Sequence, residues 1–191
     1  LSGMGQLHID LAREKLRRKF GAEVTLHTPK VPYRETIKAT SQAQGKYKKQ
    51  TGGHGQYGDC WLEIAPLARG KGFIFENRVV GGAIPRNFIP AVEKGVVEAM
   101  QEGGLSGFPV VDVRVTVYDG SFHAVDSSEM SFKIAGSMAF KKAMEAGHPV
   151  LLEPLMLVEI EAPTDTVGAV MGDINARRGR IVSVQANDHA E

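Results

Sequence analysis

Between residues 46 and 58 the sequence reads KYKKQTGGHGQYG, with three lysines in its first four positions and four glycines in its last seven. Lys46, Lys48 and Lys49 supply point charges. Gly52, Gly53, Gly55 and Gly58 carry no side chains to shield their backbone N–H groups, which must find partners somewhere. Cations beside unshielded amides are chemistry suited to phosphate, and a nucleic acid is the polyanion this spacing favours. His54 and Gln56 can hydrogen-bond phosphate or 2′-hydroxyl groups, and Tyr57 offers a ring for stacking. A long flexible hairpin with no ligand is the plainer reading of the same residues.

Two sharper readings fail on context. Gly53-x-Gly55-x-x-Gly58 fits the dinucleotide fingerprint, but that chemistry needs the glycines to open a helix. Here Cys60, Leu62 and Ile64 alternate with Asp59, Trp61 and Glu63, a strand pattern, and helical periodicity begins only near Asn87. His123, Asp126, Ser127 and Ser128 have the composition of a nucleophilic group. However, Asp126 reads as the cap of a capping box completed by Glu129, and no G-x-S-x-G accompanies them. No G-x-x-x-x-G-K-[ST] occurs for a nucleotide, and one cysteine, Cys60, cannot make a zinc site or a disulfide. No catalytic residue and no metal ligand is assigned.

The elements that would position these residues follow from periodicity. Ile9, Ala12, Leu16 and Phe20 share one helical face, and Gly21 supplies the cap. Residues 23–26 predict a short strand, 28–32 a proline-broken linker and 33–49 one long polar strand. The lysines and glycines then form the tip of a hairpin. Residues 73–80 predict a third strand, and Ile89, Val92, Val96 and Met100 a helix with Pro90 in its first turn. Val111, Val113, Val115 and Val117 line one face of a strand. Met130, Ile134 and Met138 run along one face of the next helix, and Ala135, Gly136 and Ala139 keep another side small. An apolar strand over 150–162, a helix capped by Thr164 with Val167, Val170, Met171 and Ile174 inward, and a strand over 180–185 complete the chain. Strands come first and helices interleave later, which predicts an α+β fold.

The 191 residues, 42% hydrophobic and 24% charged, can bury an ordinary core. No run approaches the roughly 20 apolar residues that span a bilayer, and a single cysteine suits a reducing, cytoplasmic setting. The net charge of +1 conceals a division. Residues 1–60 hold 11 Lys/Arg against 5 Asp/Glu, a balance of +6, and residues 61–191 hold 12 against 17, a balance of −5. One basic end predicts a side that faces a polyanion. The start at Leu1 within a helix lead-in and the stop after a strand–helix–strand unit predict a fragment.

Three stretches, TGGHGQYGD at 51–59, GGAIPRNFIPAVEKG at 81–95 and DGSFHAVDSSEMSFKIAGSMAFKKA at 119–143, resemble the C-terminal half of bacterial translation elongation factor G. LSGMGQLHIDL at the start resembles the end of that family's domain III, and ARRGRIVSV at 176–184 the beginning of its domain V. The resemblance implies three pieces: the end of domain III over 1–30, domain IV over 31–151 and the start of domain V over 152–191. It implies a central domain like ribosomal protein S5 domain 2, with a left-handed βαβ crossover, between partial ferredoxin-like domains. It implies a monomer whose tip enters the small-subunit decoding region of the ribosome. There it would meet rRNA, the A-site and P-site tRNAs and mRNA to promote translocation, away from any membrane. The first tip loop would be Gly52, Gly53, His54, Gly55, Gln56 and Tyr57, and the second Ser121, Phe122 and His123, with Lys46, Lys48 and Lys49 in support. GTP and Mg would belong to an upstream domain of the parent, so no cofactor is expected here. Phe122 and Ala124 depart from the tyrosine and acidic residue common in the family, and His54 from its arginine. Those departures leave open a paralogue acting in ribosome recycling or protection, beside a free-standing RNA-binding module.

Overall fold

Alternating valines set the centre of the molecule. Val113, Val115 and Val117 occupy every second position of a strand, face one side of it and are fully buried. The computed structural model describes residues 5–27, 31–50, 53 and 55–185 and divides into two units, 1–154 and 155–191. The first holds helix α1 (Gln6–Phe20) and strands β1 (Arg34–Ile37), β2 (Ser41–Lys49), β3 (Gln56–Pro66) and β4 (Phe73–Asn77). It continues with helix α2 (Ile89–Glu102), strand β5 (Val113–Ser121), helix α3 (Glu129–Ala146) and strand β6 (Pro149–Leu152). The second unit holds helix α4 (Val167–Ala176). The fold is α+β.

Four strands form one sheet in the order β2-β3-β5-β4. The first three run antiparallel, while β4 lies parallel to β5 and reaches it through α2. Cys60, Leu62 and Ile64 of β3 join the valines of β5 beneath the helices, with Val92, Val96 and Ala99 of α2 and Phe132, Ala135, Ala139, Phe140 and Ala143 of α3. Close approach makes this core dense. A Cβ at Gly45 of β2 would overlap the Ala135 carbonyl oxygen, and one at Gly95 of α2 the Lys133 carbonyl oxygen. The buried face of α3 is therefore its small-residue side. Met130 is 59% exposed, and Ile134 and Met138 are half-buried.

The predicted strand over 33–49 breaks in two. A bend at 38–39 separates β1, which pairs with β6 in its own two-stranded sheet, from β2, which enters the larger one. The valine strand begins at Val113 because Asp112 adopts φ 57, a left-handed conformation no ladder accepts. Residues 23–26, 153–163 and 180–185 form no ladder, against expectation. Apolar alternation marks a segment built to be covered, but a strand exists only where a neighbour meets its N–H and C=O groups, and no strand among the described residues does so. Helix α1 ends on Gly21 in the left-handed conformation, as predicted, but the face of Ile9, Ala12, Leu16 and Phe20 is not buried. Helix α4 starts after Thr166 rather than Thr164, with Val167, Val170, Met171 and Ile174 half-buried. None of the described helices is long and apolar enough to cross a membrane.

Candidate nucleic-acid interface

Strand register brings the tip together. Lys49 pairs with Gln56, Lys48 with Tyr57 and Lys46 with Asp59, so the hairpin closes beyond Lys49. Gln56 and Tyr57, expected in the loop, are the first residues of β3, and Ser121 is the last residue of β5. Gly52 and His54 lie outside the described residues. Gly53 is exposed, as are Lys46, Lys48 and Lys49. The Lys46 ammonium stands 5.7 Å from the centre of the Tyr57 ring, a cation over an aromatic face. Tyr47 donates its hydroxyl to Gln56 Oε1 at 2.8 Å, which fixes the base of the hairpin.

The second loop arrives from a distant part of the sequence. Its turn closes on itself: the His123 N–H donates to Ser127 Oγ at 2.9 Å, and the Ser127 N–H donates to the His123 carbonyl at 3.0 Å. Asp126, read from the sequence as a helix cap, does something else. Ser128 caps α3, its hydroxyl accepting from the Ser131 N–H at 3.2 Å. Asp126 instead turns its carboxylate toward the first loop, where Oδ1 accepts from the Gly55 N–H at 3.0 Å and Oδ2 stands 3.4 Å from His123 Nδ1. Its carbonyl accepts from the Tyr57 N–H at 2.8 Å. The amides of the glycine tip are thus not all free for a ligand. Gly55 is satisfied inside the protein, and Gly58 is buried against the Ser131 carbonyl of α3.

Below the loops lies a polar relay that the sequence did not announce. Asp59, 5% exposed, accepts from Gln44 Nε2 at 2.8 Å and from Ser121 Oγ at 2.7 Å. Because Ser121 gives its only hydroxyl proton to Asp59, Tyr57 donates its own to Ser121 Oγ, at 2.7 Å. The ring of Tyr57 is fixed by this chain and lies 6.4 Å from that of His123. Burial, aided by the Asp59 charge, pushes the neighbouring Cys60 thiol up to about 12, so it stays an inert core residue. Only the alternation of Asp59, Trp61 and Glu63 with Cys60, Leu62 and Ile64 hinted at a second, more polar face here, and nothing local showed its partners. The Phe122 ring and the His123 imidazole beyond the relay are open to solvent, 46% and 61% exposed. The arrangement can bind and stack. Among the described residues no group of acidic, His and Cys side chains could hold a metal ion.

Known proteins share this fold. A family model described as elongation factor G, domain IV, matches residues 29–148. Models for the elongation factor G C-terminus and for its domain III match residues 150–191 and 1–28. A crystal structure of a Thermus thermophilus protein is similar at 49% identity with a TM-score of 0.84. The similarity covers 97% of this chain and 27% of that one, so the chain spans about a quarter of that relative's length. With a domain IV match over more than half of its residues and the flanking models in order on either side, the chain belongs to the elongation factor G family.

Proposed function

We propose that this chain is the ribosome-facing portion of a translational GTPase, and that its tip enters the small-subunit decoding site to promote movement of tRNA and mRNA. One observation carries the reading. Two loops separated by 71 residues in sequence converge at one end of the sheet and present an imidazole, a phenyl ring and three lysines outward. Aromatic rings stack on unpaired bases or sugars, and each lysine that neutralises a phosphate releases about one counterion. In this reading the tip occupies space beside the A-site codon and stabilises a displaced tRNA. The chain itself breaks no bond, and GTP with Mg belongs to a domain of the parent upstream of residues 1–30. The partners are rRNA, mRNA and the A-site and P-site tRNAs.

The test places this segment in a full-length elongation factor G and follows single-turnover translocation and GTP hydrolysis on ribosomes, with His123→Ala beside wild type. Translocation slowed at least about tenfold, the equivalent of one lost hydrogen bond to a charged or stacked partner, with hydrolysis unchanged, is the expected result. Hydrolysis without translocation in the wild type would instead assign a recycling or protection role, and equal translocation rates would remove His123 from the moving step.

A further inference from the structure

We infer that Asp126 is the positioning residue of the tip, joining the glycine loop to the His123 loop and turning imidazole Nε2 outward as an acceptor for a hydrogen-bond donor on RNA. The inference rests on the RNA-facing role proposed above and gives it a specific device.

A carboxylate at a surface meant for phosphate repels its ligand unless its charge is engaged within the protein. The Asp126 carboxylate is engaged twice, and its backbone once more. Oδ1 takes the Gly55 N–H at 3.0 Å, Oδ2 faces His123 Nδ1 at 3.4 Å and the carbonyl takes the Tyr57 N–H at 2.8 Å. Its own loop is a closed turn, because His123 and Ser127 exchange two hydrogen bonds across it. The carboxylate therefore has a fixed origin and reaches across to a different segment. Position 55 is fitted to it: a Cβ there would come within 2.9 Å of the Asp126 carboxyl carbon. The glycine thus opens a seat for the carboxylate.

The effect on His123 follows from charge. A carboxylate beside Nδ1 favours a proton on that nitrogen, so the neutral ring carries its lone pair on Nε2. Nε2 is the far corner of a side chain that is 61% exposed. The ring faces outward as an acceptor of one defined orientation, and a 2′-hydroxyl is the donor RNA offers. Without the Asp126 carboxylate the Gly55 amide loses its acceptor and the imidazole its preferred tautomer, and only the backbone bond from Tyr57 still joins the two loops.

The test uses the 191-residue chain, isotopically labelled, as wild type, Asp126→Asn, Asp126→Ala and Gly55→Ala. In Asp126→Ala the Gly55 amide is expected to exchange about tenfold faster, the equivalent of one charge-assisted hydrogen bond, and the His123 ring-nitrogen shifts to lose their Nδ1–H preference. Asp126→Asn keeps an acceptor for Gly55 but removes the charge, so amide protection persists while the tautomer preference falls. Gly55→Ala, which displaces the carboxylate without changing it, is expected to reproduce the Asp126→Ala spectrum in both loops. Unchanged Gly55 exchange and unchanged ring-nitrogen shifts in Asp126→Ala, with core amides still protected, overturn the inference; if that variant does not fold, the ring-nitrogen shifts of Asp126→Asn decide in the same way. In the full-length factor, Asp126→Ala is expected to slow translocation as much as His123→Ala does. If His123→Ala slows movement while Asp126→Ala does not, the positioning role is overturned and the RNA-facing reading survives. If neither slows it, the RNA-facing reading itself has failed.

Discussion

The two ends of α3 are held by different physics. From its middle toward its C-terminus Ala135, Ala139 and Ala143 lie fully buried, Gly45 of β2 meets the helix backbone without a side chain between, and Phe140 is buried beside them. At its N-terminus the neighbourhood is polar: Ser128 caps the helix, Asp126 tethers Gly55, and Tyr57, Ser121 and Asp59 hand hydrogen bonds to one another. The helix that carries both regimes is eighteen residues long, about 27 Å from end to end. Packing fixes distances because a shifted atom loses contact or collides. Hydrogen bonds at a surface can be traded for those of water or RNA at small net cost. A body that must be stiff and a tip that must exchange partners thus occupy two ends of one rod.

Substitutions can break this contrast. The largest effect is expected where the helix meets the sheet. Gly45→Ala drives a methyl into the Ala135 carbonyl and the Ala139 backbone and is expected to cost about 3 kcal/mol, read as a lowered urea midpoint. A loss near zero would mean that α3 can ride away from the sheet, and the stiff-body half of the contrast would go. Asp59→Ala comes next. It leaves Gln44 and Ser121 without their acceptor and is expected to cost about 2 kcal/mol; Asp59→Asn, which keeps one acceptor, should cost less by the same measurement.

The smallest effect sharpens the contrast with a carboxylate at the far end of β5. Asp112 is buried, accepts from the Gly72 N–H at 2.8 Å and faces Arg69. Burial pushes its pKa up, but the amides of Gly72, Gly70 and Lys71 and the Arg69 charge together hold it below the usual carboxylate value. Its folded pKa is depressed, so its contribution is complete above the ordinary pKa of 3.8 and fades as the pH falls below that value. The melting temperature of wild type should therefore exceed that of Asp112→Asn at pH 7, with the gap closing as the pH falls below 3.8. A gap independent of pH would mean that shape, not charge, holds this loop.

Periodicity read the core correctly where one face met one sheet, as in Val113, Val115 and Val117 or Val92 and Val96. On α3 the side kept small by Ala135, Gly136 and Ala139 is the buried one, while Met130 is exposed and Ile134 and Met138 are half-buried. A sequence states which residues are apolar but not how near each partner will come: a glycine backbone meets α3 at Ala135 and Ala139, while Phe132 and Phe140 are buried elsewhere on the same helix. The cap of the same helix was two residues off for a related reason. Asp126, Ser127 and Ser128 can each cap, and the choice fell to Gly55, 71 residues away. The tip itself was legible in its composition, because glycine, lysine and aromatic residues crowd two short stretches. Their joining through Asp126 was not, since it depends on the register of β3 against β5. The break between β1 and β2 was equally hidden, being decided by which strand each half finds.

That break has a consequence of another kind. Arg34 pairs with Leu152 and Ile37 with Pro149, and the Lys38 and Ala39 amides donate to the Gly147 carbonyl. The polypeptide thus comes into the sheet-and-helix body and leaves it side by side, one strand spacing of about 5 Å apart. Everything between residues 34 and 152 is a closed excursion from that point. Such a body is a cassette: a host chain could take it up, or give it up, at a single surface turn, with no more rearrangement than bridging one strand spacing.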